Sequence, residues 1–147
     1  EVRSTARSTM SQDVVKAFYT QLISDSSNLS GFHQAVGGRI YEQEAPAMKS
    51  TPLAIFQLIS APFDQTFNGS TIKDYLFQVD IYNRKQDGMA ALGGIQTKLF
   101  TLMNNSTPSI DNHGRAKIEC TNDGIRSVEG EYLRVITEFR LRTGAVT

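Results

Sequence analysis

The chain has 147 residues, 39% of them hydrophobic and 20% charged. That length suits one domain able to bury roughly 70% of its unfolded surface without disulfide staples. Fifteen Lys and Arg balance fifteen Asp and Glu, so the cationic field that draws proteins onto DNA or anionic membranes is missing, and a lone Cys120 excludes a disulfide framework or a multi-cysteine zinc site.

Residues 1–9 are polar and aperiodic and precede Met10, which reads as a natural start. The preceding nine are then a cloning remnant, a misassigned upstream stretch, or an arm that orders against a partner. From Ser11 the pattern turns helical. Ser11 can cap, Asp13 falls in the electropositive first turn, and Val14, Val15, Phe18, Leu22 and Ile23 share one stripe. Asp25, Ser26, Ser27 and Asn28 break this helix. Leu29, Phe32 and Val36 then predict a short second piece closed by Gly37 and Gly38.

Residues 39–42 read as a short strand broken by Ala45-Pro46, since proline has no amide hydrogen to donate. Residues 53–59 are apolar on both parities, which predicts a strand covered on each face and placed in the sheet centre. Residues 62–71 read as a long connection carrying the turn dipeptide Asn68-Gly69 and the aromatics Phe63 and Phe67. In the strand predicted over 72–82, Tyr75, Phe77, Val79 and Ile81 take the packed parity, while Asp74, Gln78 and Asp80 take the wetter one.

Asp87 can cap a second long helix in which Met89, Leu92, Ile95, Leu99 and Leu102 repeat at three and four. Gly93 and Gly94 cost that helix about 1 kcal/mol each relative to Ala, which close backbone contact with the sheet would offset. After a polar loop over 104–115, strands are predicted at 116–121, 125–129 and 131–142, with Asn122-Asp123-Gly124 as the first turn. In the last strand Leu133, Val135, Phe139 and Leu141 pack, and Arg134, Glu138, Arg140 and Arg142 face water or another chain. The expected fold is α+β, a mainly antiparallel sheet of four to five strands with two long helices on one face. Residues 10–147 form its single domain. No apolar run approaches the ~20 residues a membrane helix needs, and no apolar block follows Arg3 and Arg7 as it would in a signal peptide, so the expected setting is soluble and intracellular.

Motifs for chemistry are sparse. His33 sits in a short amphipathic piece and His113 in a polar loop, neither at ligand spacing from a carboxylate. Cys120 with His113 would need an accessible, electropositive setting for a thiolate, and a strand cysteine is more often packed. Glu42 and Glu44 both read as solvated, whereas acid–base pairs need divergent environments. The glycines at 37, 38, 88, 93 and 94 match neither a phosphate loop nor a dinucleotide fingerprint. No catalytic residue, cofactor or metal site is expected.

Two features suit contact with another protein. One is the polar row Arg134, Glu138, Arg140 and Arg142, and the other is the pair Phe63 and Phe67 in one connection. Each has a plainer reading, as the solvated side of a strand and as aromatics tucked under their own loop.

Val36-Gly37-Gly38-Arg39-Ile40-Tyr41, then Ala45-Pro46, then Pro52 before the apolar strand at 53–59, Phe77-Gln78-Val79-Asp80-Ile81-Tyr82 and Glu131-Tyr132-Leu133-Arg134 occur in that order. This series resembles the tail-completion (tail-terminator, head-to-tail joining) proteins of long-tailed bacteriophages. Met48 and Lys49 depart from the Gly-rich, polar character common at that place. The resemblance covers about 10–143. It implies a small non-enzymatic subunit made in the bacterial cytoplasm and built into the virion as a ring, typically of six copies. That ring caps the head-proximal end of the tail tube. Its implied partners are further copies of itself, the tail tube protein and the head connector or stopper, with DNA passing through the lumen unbound. The alternatives are a small non-catalytic α+β binding module for a ligand or peptide and a small hydrolase using His113 with Cys120 or a carboxylate.

Overall fold

The computed structural model describes residues 2–44, 50–60, 65–67, 70–110 and 116–143, with side chains at 12–44, 50–60, 73–110 and 116–143. Its strands are β1 (Ile40–Glu42), β2 (Leu53–Ser60), β3 (Gln65–Phe67), β4 (Ser70–Arg84), β5 (Ala116–Glu129) and β6 (Tyr132–Thr143). The sheet order is β1-β2-β4-β6-β5, and β3 pairs separately with the start of β4. All pairings are antiparallel except β1 with β2, so the sheet is mixed. Residues 43–52 are long enough to return the chain to the end where β1 began, and a parallel neighbour needs that return.

β2 lies second from an edge, and β4 holds the centre predicted for β2. The three-residue β1 shields only the beginning of β2, where Leu53 and Ala54 are buried, while Ile59 near its end is 43% exposed. The long connection expected over 62–71 contains β3 and opens β4, with Phe67 paired to Ser70. The predicted turn at Asn68-Gly69 lies outside the described residues, as do Ala45-Pro46, Met48, Lys49, Phe63 and His113.

No turn forms at 122–124. β5 runs on as one strand with register shifts at Cys120/Asn122 and Asp123/Ile125. Gly124 occupies the second shift at φ +96°, where a Cβ would stand 2.5 Å from Gln96 Nε2. Bulges and tight turns both need a residue tolerant of positive φ, so Asn-Asp-Gly satisfies either. The hairpin reverses instead at residues 130–131, with Gly130 at φ +60°.

Among the described residues three helices build the layer over one face of the sheet. α1 (Val2–Leu22) is continuous, so Ser11 lies in its interior and not at its start, and Asp13 is not in the first turn. The one-turn α2 (Phe32–Ala35) is held by Asp25 from seven residues upstream, whose carboxylate accepts the Phe32 N–H at 2.7 Å and the His33 N–H at 3.2 Å. α3 (Gly88–Met103) follows a single 3-10 turn, Lys85–Asp87, and Asp87 at its N-cap makes no side-chain cap bond. Gly93 and Gly94 do not approach the sheet closely. A Cβ on Gly94 would meet nothing within 4 Å, and one on Gly93 only Arg126 at 4.0 Å. The helical layer is thus α3, the packed second half of α1 and the short α2, not two long helices alone.

The core lies between this layer and one face of the sheet. Phe18 is fully buried and stacks on Phe77 with ring centroids 4.0 Å apart, flanked by Phe56 at 6.0 Å and Phe139 at 6.2 Å. α3 adds Leu92, Ile95, Leu99 and Met103. Tyr75, Phe77, Val79 and Ile81 of β4 and Leu133, Val135, Phe139 and Leu141 of β6 are buried on this face, as their parity predicts. Burying each such side chain stabilises the fold by about 1.5–3 kcal/mol.

Candidate functional site

The opposite face of the sheet carries Arg134, Glu138, Arg140 and Arg142 side by side, since alternate residues of a strand point to one side. Register gives each a neighbour on β4 and one on β5. Arg142 stands between Asp74 and Lys117, Arg140 between Leu76 and Glu119, Glu138 between Gln78 and Asn122, and Arg134 between Tyr82 and Ser127. The row at Ile136 runs from Ile55 through Asp80 and Ile136 to Ile125.

Most of the basic row is neutralised within the chain. Arg134 donates to Asp80 Oδ2 from Nη2 at 2.6 Å and Nε at 3.2 Å, and to Glu129 Oε1 from Nη1 at 2.7 Å. Its guanidinium carbon lies 5.8 Å from the Tyr82 ring centroid. Arg142 forks onto Asp74 at 2.8 and 3.2 Å, a geometry matching guanidinium to carboxylate. Arg140 reaches Glu119 at 3.4 Å, and its Nε is buried without a partner among the described residues. Glu138 makes no side-chain ion pair there either.

Burial works to lower the Arg134 pKa, but the Asp80 hydrogen bond and charge outweigh it and leave the pKa raised. For Arg142 the Asp74 hydrogen bond is the main cause of a raised pKa. Burial pushes the Tyr82 hydroxyl up, with Arg134 opposing. The raised values keep Arg134 and Arg142 charged and the Tyr82 hydroxyl protonated across physiological pH.

Phe67 closes β3 on a hairpin that carries β4 beyond the Arg142 end of this face, where Lys73 pairs with Thr143. The structure therefore brings the four β6 residues together and sets the Phe67 backbone past one end of their row. Sequence parity places Asp74 and Asp80 on the wetter face of their strand, but it does not join them, or Glu119 and Glu129, to the β6 row as ion-pair partners. Their signal was the antiparallel pairing of β6 with acidic β4 and β5, which places opposite charges across from one another.

A groove of about 610 Å³ lies between α1 and the sheet edge at β1, lined by Val15, Lys16, Tyr19, Ile40, Glu42 and Phe56, among others. Cys120 is half-buried, and burial followed by the Asp123 charge raises its pKa, which leaves it a thiol at neutral pH and a poor nucleophile. Among the described residues no group of three or more His, Cys, Asp or Glu could hold a metal ion. None of their helices is long and apolar enough to cross a membrane.

No family model matches the chain, and no curated protein matches it. Solved structures do. A chain described as "Virion of native gene transfer agent (GTA) particle" superposes with a TM-score of 0.68 at 16% identity, covering 88% of this chain and 93% of that one. A second solved protein, which carries no functional description, superposes with a TM-score of 0.61 at 17% identity over 94% of this chain and 99% of its own. At such identities the likeness is one of fold, and it spans nearly the whole of both partners.

Proposed function

We propose that this chain is a structural virion protein that ends the tail tube at its head-proximal side and joins it to the head connector, as a ring of copies and without catalysis. The observation that carries this reading is the near full-length fold match to a chain of a gene transfer agent virion. The ordered residues resembling phage tail-completion proteins narrow it to the tail end, and six is the copy number that resemblance implies.

Such a role is geometric. A ring requires one surface to recognise a different surface on the next copy, with a rotation that closes. Each contact can be modest, because several identical contacts on one circular platform form at high effective concentration. The balanced charge, fifteen of each sign, suits a lumen through which DNA slides unbound. Phe63, Phe67, Arg134, Glu138, Arg140 and Arg142 supply part of the contacts to neighbouring copies, the tube or the connector in this reading. Glu138, with no ion pair among the described residues, is the member whose charge is open to a partner.

Removing the gene from the particle that encodes it and imaging the products tests the reading. Full heads separated from tails, or tails of irregular length, are expected. Normally joined particles would contradict it. The groove beside β1 favours a second reading, a module that binds a ligand or peptide as a monomer. A discrete small molecule retained through native mass spectrometry of a solitary subunit would support that module instead.

A further inference from the structure

The two edges of the sheet carry matching groups that are unpaired among the described residues. On β1, the Arg39 carbonyl and the Gln43 N–H bond β2, so the backbone of Ile40 and Glu42 points away from the sheet. There the Ile40 N–H is taken by Gly38 and the Glu42 carbonyl by Glu44, which leaves the Ile40 carbonyl and the Glu42 N–H. On β5, the first half of the outer edge is already covered. Ile118 bonds Asn105 and Ser106, and the Cys120 N–H meets Asn104 Oδ1 at 2.9 Å. Ile118 faces outward opposite Leu141, and the register past both bulges gives Arg126 and Val128, opposite Val135 and Leu133, the same outward backbone. No described residue pairs with that stretch, where Val128 is 57% exposed.

We infer that β5 of one copy pairs antiparallel with β1 of the next, with Ser127 opposite Tyr41, Arg126 opposite Glu42 and Val128 opposite Ile40. This inference rests on the ring reading above and names its subunit contact. Following the pairings from β1 to β5 shows that β5 runs opposite to β1. Rotation about an axis along the strands preserves direction, so successive copies meet antiparallel and the sheet continues around the ring.

In this register the Ile40 carbonyl accepts from the Val128 N–H, and the Glu42 N–H donates to the Arg126 carbonyl. Those are the two groups that β1 has left. The side chains agree as well. Ile40 and Glu42 share the helix-side parity with Ala54 and Phe56, and Arg126 and Val128 share it with Val135 and Leu133. An exposed glutamate thus meets an exposed arginine, neither having an ion pair among the described residues. Val128 reaches Ile40 at the wall of the α1–β1 groove. Self-pairing of either edge would set Ile40 against Glu42, or Val128 against Arg126, and lose both matches.

Tyr41 and Ser127 would form a non-hydrogen-bonded cross-strand pair, whose Cα separation of about 4.5 Å suits a disulfide. Within one subunit they lie on opposite edges of a five-strand path, too far apart to bridge. The test is full-length Tyr41→Cys/Ser127→Cys in a Cys120→Ser background, oxidised at high concentration and on tail tubes, beside each single variant. A ladder of linked copies from the double variant alone is expected. Glu42→Arg or Arg126→Glu should each weaken assembly roughly fivefold, and the two together should restore it. Dimers from a single variant, or rings that form without cross-links, would overturn this contact and leave the ring reading standing. A wild-type chain that never forms rings, even on tubes, would overturn the ring reading itself. A double-variant ladder in that case would still establish the edge contact.

Discussion

Phe18→Ala strikes the centre of the aromatic cluster that joins α1 to the sheet. Its ring is fully buried, stacked on Phe77 at 4.0 Å and within about 6 Å of Phe56 and Phe139, so truncation opens a void beneath three aromatic side chains. Phe-to-Ala changes in such cores cost about 3–5 kcal/mol, and the lost ring stacking lies at the upper side of that range. For a domain of this size each kcal/mol lowers the Tm by roughly 2–4 °C, so a drop of about 10–15 °C is expected. Phe18→Leu keeps most of the buried area and should cost about 1.5 kcal/mol. Urea unfolding followed by circular dichroism measures both, with an unchanged slope expected. A loss below 1 kcal/mol for the alanine variant would mean that α1 is not packed on the sheet and would refute the layer arrangement.

Gly94→Ala should stabilise the protein by up to about 1 kcal/mol, because a Cβ there meets nothing within 4 Å and the helix interior favours Ala; thermal unfolding reads it. Gly124→Ala should destabilise by about 1–3 kcal/mol, since its φ of +96° disfavours an L side chain and the new Cβ presses on Gln96, whose amide donates to Asp123 at 2.6 Å. Asp80→Ala should cost about 2 kcal/mol by stripping Arg134 of its more buried partner, and adding Arg134→Met should recover much of that in denaturant titrations. Alkylation of Cys120 by iodoacetamide should be slow at pH 7 and accelerate only above the pH at which a free cysteine reacts, because burial raises its pKa and the reactive thiolate forms late; fast reaction at neutral pH would contradict the packed placement.

Periodicity made the core legible. Buried alternation in β4 and β6 and the stripe of Val14, Phe18 and Leu22 follow from matching the hydrophobic repeat to one covered face. Pairing direction and strand position were less accessible. β1 is only three residues long, and nothing local in Ile40–Glu42 tells a parallel from an antiparallel partner. Asn122-Asp123-Gly124 was ambiguous because a bulge and a turn ask for the same backbone freedom. Ser11 resembled a cap because capping residues carry no label for the helix that ignores them, and Gly93-Gly94 suggested a close contact that α3 does not make. At the candidate surface the polar parity of β6 was readable, but its neutralisation by Asp74, Asp80, Glu119 and Glu129 depends on register across three strands, information held by no single segment.

Electron microscopy of tail tubes from particles lacking this chain, incubated with the pure protein, separates a ring-forming subunit from a solitary one. A closed ring seated on one end of each tube is expected, with further tube growth blocked at that end. Tubes left bare, with the added protein remaining as single subunits at every concentration, would contradict the ring reading.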